Sequence, residues 1–107
     1  MLSKPSVARF KNVYVTATAG STRQLATDAC EVVSVLVTAG GSAVTVRVVD
    51  SKNVDAGYSP EDGFSIAARS SDSQSYTPCQ PTPMKNGLAV VFEQGEGSNG
   101  EVLITYN

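Results

Sequence analysis

A chain of 107 residues is long enough for one domain that buries about two-thirds of the surface its unfolded form exposes. Only 17% of its residues are charged, against roughly a quarter in an average soluble domain, and Val, Thr, Ser, Ala and Gly dominate the remainder, a mix that favours strands. The formal charge is -2, with cations scattered singly at Lys4, Arg9, Lys11, Arg23, Arg47, Lys52, Arg69 and Lys85. This argues against a nucleic-acid partner, and no run approaches the roughly 20 apolar residues that would imply a membrane partner.

The opening stretch, Met1 to Lys11, sets Leu2, Pro5, Val7 and Phe10 among Ser3, Lys4, Ser6, Arg9 and Lys11 without regular period. It has no apolar run of the kind a secretory leader needs, so a product made in the cytoplasm is expected. Three of the chain's eight basic residues fall here. We expect an N-terminal arm over 1–11 and a single domain over 12–107. Leu2, Lys4, Pro5, Val7, Arg9 and Phe10 are candidate partner-binding residues, the cations approaching an acidic neighbour while the apolar side chains enter a groove or add a strand. The competing expectation is a ragged first strand packed on its own domain.

Period-2 alternation begins with Val13, Val15 and Ala17 on one face against Tyr14, Thr16 and Thr18 on the other. Cys30 to Thr38 is nearly continuous β-branched sequence, which predicts a central strand covered on both faces. Ala39-Gly40-Gly41-Ser42 predicts a tight hairpin with positive-φ residues, returning through Ala43 to Asp50 with Val44, Val46 and Val48 inward. Ser51 to Gly63 is polar and carries Gly57, Pro60 and Gly63, the pattern of a long surface loop. Tyr58 within it is a further candidate contact residue.

Phe64 to Arg69 alternates again, followed by a polar turn at Ser70 to Ser75 and a short extended segment around Tyr76. Pro78, Pro81 and Pro83 each lack a ladder donor, which confines Thr77 to Met84 to an edge or an irregular crossover. Asn86-Gly87 predicts a turn into Leu88 to Glu93, with Leu88, Val90 and Phe92 inward. Gln94 to Gly100 is expected to be a hairpin loop, and Val102, Ile104 and Tyr106 mark a last strand against Leu103 and Thr105. Six to eight short strands at this spacing define an all-β fold, a small antiparallel β-sandwich or jelly roll.

Candidate chemistry is sparse. Histidine is absent, which removes the usual general base and the commonest zinc ligand, and a nucleophile at Cys30 or Cys79 would lack an imidazole partner. We expect no enzyme, no catalytic residues and no cofactor. Asp50, Asp55, Glu61 and Asp62 cluster along the long loop but match no calcium-binding repeat, so they read as solvated carboxylates and no metal is expected. Glu93 and Glu96 flank a glycine, where charge blunts an edge and maintains solubility. Cys30 and Cys79 are expected to be buried, reduced thiols, with a late-forming bridge as the alternative. With no Trp, and with Tyr14 and Tyr106 expected to pack on the sheet, Tyr58 alone remains as an exposed ring for sugar stacking.

The succession Val35 to Ser51, the proline-bearing stretch Pro81-Thr82-Pro83-Met84-Lys85-Asn86-Gly87-Leu88 and the closing Val102-Leu103-Ile104-Thr105-Tyr106 resemble small β-sandwich virion proteins of tailed bacteriophages. The resemblance covers Cys30 to Tyr106. It implies a capsid decoration or cement protein that binds the major capsid protein on the virion surface and stabilises the head, as a homo-oligomer with a trimer favoured. The alternative it implies is a tail, neck or fibre-associated module that contacts host surface glycans. The Ser51 to Gly63 loop is longer than the turn expected of such proteins.

Overall fold

A computed structural model describes residues 10–16, 22–58, 62–93 and 100–107. Nine strands form along them: β1 Lys11–Thr16, β2 Thr22–Ala26, β3 Cys30–Thr38, β4 Val44–Val49, β5 Gly63–Ala68, β6 Ser73–Tyr76, β7 Thr82–Met84, β8 Leu88–Phe92 and β9 Glu101–Tyr106. A single 3-10 turn at Val54–Ala56 interrupts the long loop.

The strand order follows from one nested scheme. β4 and β5 pair antiparallel across the 51–62 loop, from Val49 opposite Gly63 to Val44 opposite Ala68. Outward from them, β3 pairs with β6 and β7, β2 with β8, and β1 with β9, each antiparallel. The chain is thus one long double ribbon, rolled up so that β4 also meets β8 and β3 also meets β9. A five-stranded sheet, β1-β9-β3-β6 with β7 also on β3, faces a four-stranded sheet, β2-β8-β4-β5. This is the jelly roll, the arrangement in which two sheets cover one another's apolar faces.

Alternation places Val32, Val35, Val37, Val102 and Ile104 of the first sheet against Val44, Val46, Val48, Leu88, Val90 and Phe92 of the second, all with under 3% exposure. Burying each such side chain stabilises the fold by about 1.5–3 kcal/mol before the entropy of ordering is subtracted. β8 is buried along its whole length. Its outward residues Ala89 and Val91 are covered by Val54 of the 3-10 turn, which forms a second small cluster with them and Val49.

Two polar side chains hold the loops in place. Gln24 Nε2 donates to the carbonyl oxygens of Ser51 (2.6 Å), Ala26 (2.7 Å) and Leu88 (3.1 Å), while its Oε1 accepts from Val54 N–H at 2.8 Å. Asp50 accepts from the backbone N–H groups of Lys85 (2.9 Å), Asn86 (2.7 Å) and Gly87 (3.3 Å), which sets the turn into β8. At Gly87 only hydrogen fits: a Cβ there would stand 2.6 Å from the carbonyl oxygens of both Ala26 and Ser51.

Several expectations are corrected. β3 and β4 are not a hairpin but lie in opposite sheets, joined by an arch. Before crossing, β3 continues along the β5–β6 connection, with Ala39 N–H donating to Asp72 O (2.8 Å) and Ser71 N–H donating to Gly40 O (2.7 Å). Among the described residues positive φ occurs at Gly57 and Ser71, not in the Ala39 to Ser42 segment. The arch lets the inward valines of β3 and β4 face one another across the core, whereas a hairpin would put both sets on one sheet.

For the same reason the 94–100 connection is not a hairpin, since it joins β8 and β9 of opposite sheets; residues 94–99 lie outside the described residues. β3 is central but not covered on both faces: Glu31, Leu36 and Thr38 are exposed. β6 begins at Ser73, inside the expected polar turn, and β2 adds a strand where none was expected, which brings the total to nine. The proline-bearing stretch does run at an edge, where Pro83 of β7 lies opposite Glu31.

Replacing Phe92 by Ala, which leaves a cavity at the centre of the interface between the sheets, is expected to lower unfolding free energy by about 3–5 kcal/mol. Val54→Ala, which only thins the cover over β8, should cost roughly 1.5 kcal/mol from two lost methylene equivalents. Urea denaturation of the two variants checks both the values and their order.

Candidate functional site

The inward residues of the five-stranded sheet are committed to the core, so its outer face is what the fold leaves available. The register identifies that face residue by residue. Tyr14 lies opposite Leu103, Leu103 opposite Leu36, and Leu36 opposite Ser75, giving one straight row across β1, β9, β3 and β6. Tyr14 is 58% exposed, Leu36 39%, and Leu103 is half-buried. With strands about 4.8 Å apart, the apolar part of the row is roughly 10 Å wide.

Polar rows border it. Thr16, Glu101, Thr38 and Ser73 align on one side, and Asn12 with Thr105 on the other, where Thr105 Oγ1 donates to Asn12 Oδ1 at 2.7 Å. The Tyr14 hydroxyl donates to the Glu101 carboxylate, which fixes the ring beside the apolar row. That hydrogen bond, followed by desolvation and then the carboxylate's negative charge, holds the Tyr14 phenol above the ordinary tyrosine range. Glu31, exposed on β3, adds a second carboxylate, and no Lys or Arg of the described residues occupies an outward position on these strands. Lys11 is in register with Tyr106 on the inward side, its ammonium 6.0 Å from that ring's centroid. The outer face thus carries a short apolar row rimmed by hydroxyls and carboxylates.

Of the residues singled out in sequence, Phe10 is 51% exposed immediately before β1, and Tyr58 is 37% exposed after the 3-10 turn that covers the four-stranded sheet. Phe10 thus adjoins the five-stranded sheet, and Tyr58 the segment that packs on the four-stranded sheet. Leu2, Lys4, Pro5, Val7 and Arg9 lie outside the described residues, and Lys11, placed in the arm, is the first residue of β1. Tyr14 was expected to pack on the sheet and instead stands exposed, whereas Tyr106 is buried, its hydroxyl donating to Leu25 O at 3.1 Å. The signal for the row was present: Tyr14, Leu36 and Leu103 are the apolar residues that fall on the polar phase of otherwise alternating strands.

Asp50 and Asp62 are neighbours, Asp50 N–H donating to Asp62 O at 2.6 Å, but the described acidic side chains of the loop serve different partners. Asp50 caps the turn before β8, Asp55 accepts from Thr22 Oγ1 at 3.2 Å, Asp62 is exposed, and Glu61 lies outside the described residues. Among the described residues no three His, Cys, Asp or Glu side chains group as metal ligands. Glu93 is not a free edge charge but pairs with Arg47 at 2.6 Å; Glu96 lies outside the described residues.

Both cysteines are free, and the expectation of two buried thiols is corrected for Cys79, which is exposed on the proline-bearing segment, while Cys30 is half-buried. Cys30 lines an open cavity of about 350 Å³ at one end of the sandwich with Lys11, Gln24, Asp28 and Tyr106. Burial first, then the charges of Asp50 and Glu31, pushes its thiol up. Burial likewise raises the Tyr106 phenol. The cavity lies at the strand ends, and its charged side chains are Lys11 and Asp28.

No family model matches the chain, and comparison with curated proteins and with solved structures gives no match.

Two measurements check this description. Ellman's reagent is expected to modify Cys79 rapidly and Cys30 slowly, because Cys79 is exposed whereas Cys30 is shielded and holds its proton; equal rates would contradict the burial of Cys30. In an ultraviolet alkaline titration two tyrosines should ionise above the usual value of 10.0, and one of them, Tyr14, should return toward it in Glu101→Gln while Tyr106 stays raised. A raised folded-state value means that the Tyr14–Glu101 bond contributes its stability below pH 10.0 and loses it as pH rises through the raised value.

Proposed function

We propose that this domain is a structural protein of a tailed-bacteriophage virion, a capsid decoration or cement protein that binds the major capsid protein and stabilises the head as a symmetric oligomer, a trimer being favoured. The observation that carries the assembly role is the exposed Tyr14–Leu103–Leu36 row on the outer face of the five-stranded sheet. The 51–58 segment covers β8 on the outer side of the four-stranded sheet, where β4 and β5 still present Thr45, Arg47, Ser65 and Ala67, whereas the outer face of the five-stranded sheet carries an uncovered apolar row whose chemistry suits contact with protein.

Placement on a virion rests on the sequence resemblance over Cys30 to Tyr106. Part of that support is reduced, because the Val35 to Ser51 stretch is an arch between sheets and not the hairpin on which the likeness was drawn. The turn at Asn86-Gly87 into β8 and the closing strand ending at Tyr106 retain it. A jelly roll of this size presents short strand edges and loops, which suit repeated, symmetric contacts on a larger lattice. In this role the protein bridges capsomers and adds resilience without setting the size of the shell.

Purified protein added to heads that lack it is expected to bind saturably, and labelled subunits in virions should mark the head. Label confined to the tail would replace the decoration role with that of a tail or fibre module. Phage deleted for the protein should form particles of normal size with reduced heat tolerance, and failure of head assembly would overturn the cementing role.

A further inference from the structure

The outer face of the five-stranded sheet combines an apolar row with carboxylates and no cation among its described residues, so its complement is an extended segment that carries both apolar and basic side chains. This chain contains one such segment. Residues 1–9 include Leu2, Pro5 and Val7 with Lys4 and Arg9, and lead through the exposed Phe10 into β1, the edge strand of that same sheet. We propose that residues 1–9 of one copy lie across the Tyr14–Leu103–Leu36 row of a second copy, Lys4 and Arg9 pairing with Glu31 and Glu101, and so build the oligomer. This deepens the assembly reading above and rests on it.

Three considerations favour this occupant. Opposite charge on arm and face steers their encounter and disfavours the same face of two copies meeting directly, since Glu31 and Glu101 would then oppose their own counterparts. Nine residues extend to roughly 30 Å, enough to traverse a row about 10 Å wide and follow it to a sheet edge. A fold back onto the copy's own face would demand a tight reversal next to Lys11, where β1 starts. Residues Val7 to Phe10, next to that point, hold no Gly, Asn, Asp, Ser or Pro to make one. The direction of β1 therefore favours a neighbour, and Pro5 favours extended backbone at Lys4 before it.

Sedimentation velocity of the full-length chain tests the contact without any phage component. Self-association is expected, weakening with added salt. Leu36→Asp on the exposed row, Glu31→Lys on its rim, and Lys4→Glu with Arg9→Glu on the arm should each raise the dissociation constant by about tenfold, the loss of one well-packed anchor. Combining Glu31→Lys and Glu101→Lys with Lys4→Glu and Arg9→Glu should restore association, and thermal melting checks that every variant is folded. A synthetic peptide of residues 1–11 should dissociate the wild-type oligomer, while a scrambled peptide should not. A chain that stays monomeric at all accessible concentrations overturns the proposal, as does an oligomer indifferent to Leu36→Asp and Glu31→Lys. If self-association fails while binding to heads persists, the virion role survives without this contact. If head binding fails while the charge swap behaves as expected, the contact survives and the virion role falls.

Discussion

The closing strand β9 sits between β1 and β3, and this insertion is the pairing on which the sandwich depends. It is the only described ladder partner of β1, holding it from Lys11 opposite Tyr106 to Thr16 opposite Glu101. On its other edge it closes on β3, and its inward residues Val102, Ile104 and Tyr106 complete the five-stranded side of the core. Residues at opposite ends of the chain must therefore meet before either edge is satisfied. The entropy of closing so long a loop is spent before the contacts repay it, which places this topology among the slow-folding β proteins.

The two sheets have different fates outside the shared core. On the four-stranded side, the 51–58 segment folds back, Val54 covers Ala89 and Val91, and Gln24 and Asp50 satisfy backbone groups on both sides of it. This is why β8 is buried along its whole length. The five-stranded sheet receives no such cover, and its outer face keeps an apolar row in a setting of hydroxyls and carboxylates. The asymmetry over β8 follows from loop placement, and the apolar row of the five-stranded sheet is left without such cover. The proposed function and the proposed arm contact both draw on that surface, one for the need of a partner and the other for its chemistry.

The candidate site was legible only in part. Phe10 and Tyr58 are both exposed, Phe10 just before β1 and Tyr58 just after the 3-10 turn, and exposure in the loop was legible for Tyr58. Tyr14, Leu36 and Leu103 were each visible as apolar residues on the polar phase of a strand. Nothing in their separate neighbourhoods says that they align, because alignment depends on the registers of β1 and β3 with β9, in which every paired residue is 63 or more positions from its partner.

Alternation by itself determined that the chain is all-β and that Val44, Val46, Val48, Leu88, Val90, Phe92, Val102, Ile104 and Tyr106 point inward. A period of two says which way a side chain faces, and each of these conclusions needs no more than that. Which strands share a sheet was decided by the tertiary structure. The valines of β3 and β4 satisfy the same pattern whether Ala39 to Ser42 turns a hairpin or an arch, and only the mutual burial of two sheets selects the arch. Likewise β2, with Thr22, Arg23 and Gln24 in its first half, has little alternation to reveal it and exists because β8 needs a partner on that edge. Side-chain direction is a local property of an extended backbone, whereas strand partnership is a long-range one, fixed when both apolar faces find cover at once.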